Sequence, residues 1–223
     1  MGDWDGLGGR TPDSMHGGPV APTGELAQRH FVLQDRRPAH LGDVGLAEME
    51  PFLRGLLFTD GTVTRTLEVQ ALSRVSVEVI DQAETGVIGQ VATHLEVPNG
   101  TDALRRRVLI GAGDASAPAI WAESHILPSR LPPGFLSVLQ GAPDGIGESL
   151  QQVELESHRE MLWFGADIHP EWSDVDPNAL LPVITRLYRV ITGGLPALLI
   201  SESFSVRKRD GAYCLDCFGR NSD

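Results

Sequence analysis

The sequence predicts an α+β fold: a single, mainly antiparallel sheet with helices inserted between hairpins. Three observations carry this. Val75-Ser76-Val77-Glu78-Val79 alternates strictly between apolar and polar residues, as a half-buried strand does. Two pairs of strand-like runs are each joined by a glycine-rich turn. Leu104 to Ile110 leads through Gly111 to Ser116 into Ala119 to Leu127, and Ile184 to Thr192 leads through Gly193-Gly194 into Ala197 to Val206. Helical segments lie between these hairpins.

Taken in order, residues 1–45 read as a flexible leader. Its first 24 residues hold seven Gly and three Pro with few large apolar side chains, too little to offset the entropy of ordering a chain. Residues 46–223 form the folded domain. Ala47 to Phe58 is expected to be a helix, with Pro51 near the first turn, where a missing N–H does no harm. Thr59-Asp60-Gly61-Thr62 is a turn. Val63 to Gln70 reads as a strand, followed by the alternating strand at Val75. Helices are expected near Pro133 to Gln140 and Pro177 to Leu181, ahead of the closing hairpin.

Charge narrows the function classes. The 223 residues carry 30 Asp plus Glu against 18 Lys plus Arg, a net of −12, and Lys208 is the only lysine. Nucleic acids and anionic membranes are bound through clustered cations, so neither is an expected partner. A small anion at a local site built from a few arginines stays open. No apolar run approaches the ~20 residues of a membrane helix. The opening MGDWDGLGGR carries acids where a secretory signal has cations, so a cytoplasmic location is expected.

Cys214 and Cys217 form a lone C-x-x-C near the C-terminus, without the further ligands that a structural zinc needs. No metal site is expected. Signatures for a nucleophilic serine, a metalloprotease helix, a Walker loop or a dinucleotide fold are absent.

Strand alternation shows which polar side chains share a face with apolar ones. Leu198, Ile200, Glu202, Phe204 and Val206 share one face of the last long strand. Leu104, Arg106, Val108 and Ile110 share a face of an earlier one, with Arg105 and Arg107 pointing the other way. An inward Arg106 and an inward Glu202 admit two readings. One is a buried structural ion pair, which stabilises little compared with a hydrophobic replacement. The other is a pocket in which Arg106 binds an anion and Glu202 moves a proton. Trp121, Glu123, His125 and Leu127 form a further face, where His125 is a packing histidine or a base.

At these residues the sequence resembles the chorismate pyruvate-lyase family, the 4-hydroxybenzoate synthases. The segment from Met49 to Arg65 looks like the family's opening helix and turn. Val75-Ser76-Val77 resembles its second strand. Leu104 to Ile110 looks like its L-x-R-x-I-L-L strand, with the substrate-carboxylate arginine falling on Arg106. Gly145-Ile146-Gly147-Glu148 resembles its P-L-G turn. Arg186 to Glu202 resembles its closing hairpin, with the catalytic glutamate on Glu202. The likeness covers roughly residues 47–206.

The resemblance implies a lyase that eliminates pyruvate from chorismate to give 4-hydroxybenzoate or an isomer. Aromatisation drives the step, so no cofactor is expected. Arg106 would pair with a carboxylate, and backbone N–H groups near Val63 and Ile146 would complete the ligand shell. Glu202 would act as general acid or base. Glu123, standing where some relatives carry an arginine, joins the substrate-binding candidates. Two rivals remain: a same-fold enzyme acting on another carboxylate, and a ligand-sensing domain like the UTRA effector domains of transcription regulators.

Overall fold

The computed structural model describes residues 23–112, 120–141, 145–167 and 182–216. Its strands are β1 (Val75–Val87), β2 (Thr101–Ala112), β3 (Ile120–Ile126), β4 (His158–Asp167), β5 (Val183–Thr192), β6 (Leu195–Arg209) and β7 (Ala212–Leu215). Every pairing between them is antiparallel, in the order β1-β2-β3-β6-β5-β4, with β7 beside β6. The hairpin between β5 and β6 turns at Gly193 and Gly194, whose φ angles of 57° and 79° suit glycine. The fold is α+β, as the alternation predicts.

The helices are α1 (Thr23–His30), α2 (Pro51–Phe58), α3 (Val63–Ala71), α4 (Gly89–Leu95), α5 (Phe135–Gly141) and α6 (Ile146–Gln152). The helix expected from Ala47 divides in two. A 3-10 turn at Leu46–Glu48 comes first, and Pro51 then opens α2. In α2, Leu53, Leu56 and Leu57 recur at helical spacing and are fully buried. Each contributes about 1.5–3 kcal/mol of burial free energy.

Val63 to Gln70, expected as a strand, is instead the body of α3. Its β-branched residues mimic strand propensity, but Val63 and Leu67, four apart, are the two that are buried. Packing of one helical stripe on the sheet outweighs a propensity worth a few tenths of a kcal/mol per residue. Thr66 Oγ1 also donates to the Thr62 carbonyl one turn back, at 3.3 Å.

The described part of the expected leader is ordered into the domain. Ala27 and Phe31, on and just after α1, are buried in the main core, and Val32 N–H bonds to Met161 O at 3.0 Å. The folded unit therefore begins before residue 46. The helix expected at Pro177 to Leu181 and most of the Gly111 to Ser116 loop lie outside the described residues, as does Cys217.

Among the described residues apolar clusters cover both faces of the sheet. On one face α2, α3, α5 and α6 pack through Leu53, Leu67, Phe135 and Leu150 onto Ile184, Leu198, Ile200 and Phe204. On the other, α4 packs through Ala92 and Leu95 onto Leu127, Leu187 and Leu199. A bulge in β4 between Met161 and Trp163 lets the strand serve both. Met161 and Phe164 join the first core, while Leu162 and Trp163 both join the second. Among the described residues no helix is long and apolar enough to cross a membrane.

His94, on α4, carries a pH dependence. Burial, then the Arg189 charge, lowers its pKa from 6.5. The unfolded chain therefore takes up a proton near pH 6.5 while the folded one resists it, so stability falls as pH drops through that region and levels off below the folded pKa. Denaturant midpoints compared at pH 7.5 and 5.5 should fall less in His94→Gln than in the parent.

Candidate active site

One pocket opens on the first face of the sheet. The N-terminal turn of α3 (Thr62, Val63, Thr64) and the start of α6 (Gly145, Ile146, Gly147) form its outer wall. Its floor is made by Arg106, Val108, Ala122, Ser124, Ile200 and Glu202, with Tyr188 and Arg159 at one side. Register explains the floor. Residues two apart point the same way, and Arg106 lies opposite Ser124 while Ala122 lies opposite Glu202.

Arg106 is only 5% exposed. Its Nη1 donates to Gln82 Oε1 at 2.9 Å, from the facing position on β1. Among the described residues no carboxylate lies within ion-pair distance of it. Burial lowers its pKa, the sign of a cation held out of water. Its neighbours Arg105 and Arg107 face the other side and reach Asp81 at 2.7 and 3.3 Å.

Glu202, also 5% exposed, is held by groups other than Arg106. Arg186 Nε donates to its Oε2 at 2.8 Å and Arg186 Nη2 lies 2.7 Å from the same oxygen. Tyr188 OH donates to Oε1 at 3.0 Å. Burial and then the Glu202 charge push the Tyr188 phenol well above its usual pKa, so it stays a donor. Of the two readings of the inward Arg106 and Glu202, the buried ion pair between them does not form, and Glu202 has a cation of its own in Arg186.

Arg186 is fully buried and faces two ways. Besides Glu202, its Nη1 donates to the carbonyls of Leu56, Leu57 and Thr59 at 2.9, 2.8 and 3.1 Å. These lie at the C-terminal end of α2, where carbonyls lack helical partners and a cation is favoured. Its guanidinium also sits over the Tyr188 and Phe204 rings, 5.0 and 5.5 Å from their centroids.

Of the predicted site residues, Arg106, Glu202, Val63 and Ile146 line this one pocket. Glu123 does not. It points to the opposite face, because it neighbours Ala122 and Ser124 on β3 and side chains alternate. There it lies 3.0 Å from His125 Nε2, and that hydrogen bond, with Arg105 and Arg107 nearby, holds its carboxyl below the usual range. Glu123 is therefore no ligand of the pocket that holds Arg106.

Alternation missed Arg186 and Tyr188, although it carried their signal. Ile184, Arg186, Tyr188 and Val190 share a face of β5, an arginine among apolar residues just as Arg106 is. Arg159 and Gln82 gave no such signal. One lies in a segment ambiguous between strand and helix, and the other follows the bulge of β1 between Val79 and Asp81.

Gly147 sets the width of the mouth. A Cβ there would sit 2.9 Å from Thr62 Cγ2 and 3.0 Å from Thr62 Oγ1. Gly147→Ala should push α6 and α3 apart, weakening ligand binding in calorimetry while shifting Tm by only a few degrees.

Curated relatives share the sequence over most of its length. The chorismate pyruvate-lyase of Mycobacterium tuberculosis (strain ATCC 25618 / H37Rv) is 28% identical over 177 residues, covering 74% of this chain and 84% of that protein. The chorismate pyruvate-lyase of Mycobacterium leprae is 29% identical over 163 residues, covering 71% and 76%. Among solved structures, the effector domain of PhnF from Mycobacterium smegmatis superposes with a TM-score of 0.52 at 9% identity, covering 65% of this chain and 88% of that one. That likeness is one of fold. The profile of the Rv2949c-like chorismate pyruvate-lyase family matches residues 57–210, and the chain belongs to that family.

Proposed function

We propose that the protein eliminates pyruvate from chorismate and releases 4-hydroxybenzoate, with no cofactor. The observation that carries this is Arg106: a buried guanidinium on a pocket floor, without a carboxylate partner among the described residues, beside a separately anchored Glu202. A cation held this way is completed by an anionic ligand, and its planar fork matches a carboxylate.

In this reading the ring carboxylate of chorismate pairs with Arg106. Backbone N–H groups at Val63 and Ile146, on the wall above, complete its shell. The ring loses a C–H proton, the ether bond to the enolpyruvyl group breaks, and the ring becomes aromatic. The departing enolpyruvate takes up a proton and becomes pyruvate. Glu202 acts as general acid or base at the ether. Arg186 and Tyr188 hold it in place, and the enclosed, mainly apolar surroundings strengthen each contact.

The test is direct: incubate purified protein with chorismate and follow pyruvate and 4-hydroxybenzoate. Absence of pyruvate overturns the lyase. Pyruvate with a different hydroxybenzoate overturns only the product. Tight binding of chorismate without turnover favours a ligand-sensing role.

Arg106→Met separates binding from stability. Loss of a charge-assisted pair should weaken 4-hydroxybenzoate binding by about 10- to 100-fold. Thermal stability should hold or rise, because methionine does not bear the desolvation cost of a buried unpaired cation. Calorimetry and thermal melts on the same sample check both.

A further inference from the structure

We infer that Arg159 is the residue by which the pocket selects dicarboxylates over monocarboxylates, an inference that rests on the proposed lyase function and names the determinant for the second charge of the substrate. Arg159 lies on β4 upstream of the bulge, on the same face as Met161 and opposite Val190. This orientation brings it to the side of the pocket that Tyr188 lines. Its guanidinium carbon is 5.9 Å from the centre of the Tyr188 ring. Its Nη1 donates to the Asp60 carbonyl in the turn before α3. Its Nε is buried and has no hydrogen-bond partner among the described residues.

Three guanidinium groups approach this site, and each has a different balance. Arg186 already has its counter-charge: Glu202 pairs with it, three carbonyls accept from its Nη1, and solvent does not reach it. Arg106 has a neutral amide as partner. Arg159 has a neutral carbonyl and an idle Nε–H. Two cations in one pocket, each satisfied only by neutral groups, are matched by a ligand carrying two negative charges. Chorismate carries two carboxylates and the aromatic product carries one. Arg106 then serves the carboxylate that both share, and Arg159 the one that leaves with pyruvate. The product therefore loses the Arg159 contact on formation, which favours its release.

The measurement is calorimetric affinity for two stable probes, 4-hydroxybenzoate and 4-(carboxymethoxy)benzoate, on the parent, Arg159→Gln and Arg159→Lys. In the parent the dicarboxylate should bind about tenfold more tightly, the yield of one added charge-assisted pair. In Arg159→Gln this preference should collapse to near unity while 4-hydroxybenzoate affinity stays within about threefold. Arg159→Lys, which keeps the charge, should retain part of the preference. An unchanged preference in Arg159→Gln overturns the assignment of Arg159 and leaves the lyase reading standing. Equal loss of both probes in Arg159→Gln also overturns it, assigning Arg159 instead to holding the Asp60 turn. A parent that binds neither probe overturns the anion pocket itself.

Discussion

Glu202→Gln is expected to slow pyruvate release from chorismate by about 10²–10⁴-fold, the range that a positioned acid or base contributes. The substitution keeps the shape and the Tyr188 hydrogen bond, since an amide oxygen still accepts. It removes the ability to take and return a proton. Binding of 4-hydroxybenzoate should persist, because the contact proposed for its carboxylate is Arg106. A rate within about threefold of the parent would remove Glu202 from the chemistry. The variant also leaves Arg186 facing a neutral group, so some loss of stability is expected, and a melt at the assay temperature must show the protein folded.

Arg186→Met should destabilise the fold by about 3–5 kcal/mol, the cost of breaking one side of a buried ion pair. It leaves Glu202 without its cation and the Leu56, Leu57 and Thr59 carbonyls without their donor. Denaturant unfolding gives the difference directly. Adding Glu202→Leu should recover a substantial part, because the double variant replaces both charges with apolar groups. If Arg186→Met alone melts like the parent, the bridge between α2 and β6 contributes nothing to stability. If the double variant is worse than the single, the loss comes from the α2 carbonyls rather than from the stranded carboxylate.

Much of this arrangement was legible because strands enforce a period of two. Once Leu104 to Ile110 and Ala197 to Val206 were read as strands, Arg106 and Glu202 had to point inward, and both do. The closing hairpin was equally plain from its two glycines. Val63 to Gln70 was misread because a β-branched run looks alike in a strand and in a helix. What decides it is the packing of Val63 and Leu67 on a sheet assembled from distant sequence. Glu123 was placed in the site by family likeness, whereas alternation along β3 sets it on the face with Trp121 and His125. The partner of Glu202 was hidden for a different reason. Alternation gives a residue's face but not its neighbour across the sheet, and the β5–β6 register that sets Arg186 opposite Glu202 becomes visible only when the strands are paired.

The double grip of Arg186 couples local opening of α2 to the placement of Glu202. A helix of eight residues at a domain surface ordinarily frays on its own, with little consequence for the strands beneath it. Here the last turn of α2 cannot lift without withdrawing acceptors from the guanidinium that orients Glu202. Fraying of the helix end and displacement of Glu202, the group proposed to handle the proton, are thus one cooperative event. Amide exchange at the C-terminal turn of α2 should then report that opening free energy, and mild denaturant should abolish turnover in step with that exchange, before β5 and the rest of the sheet unfold.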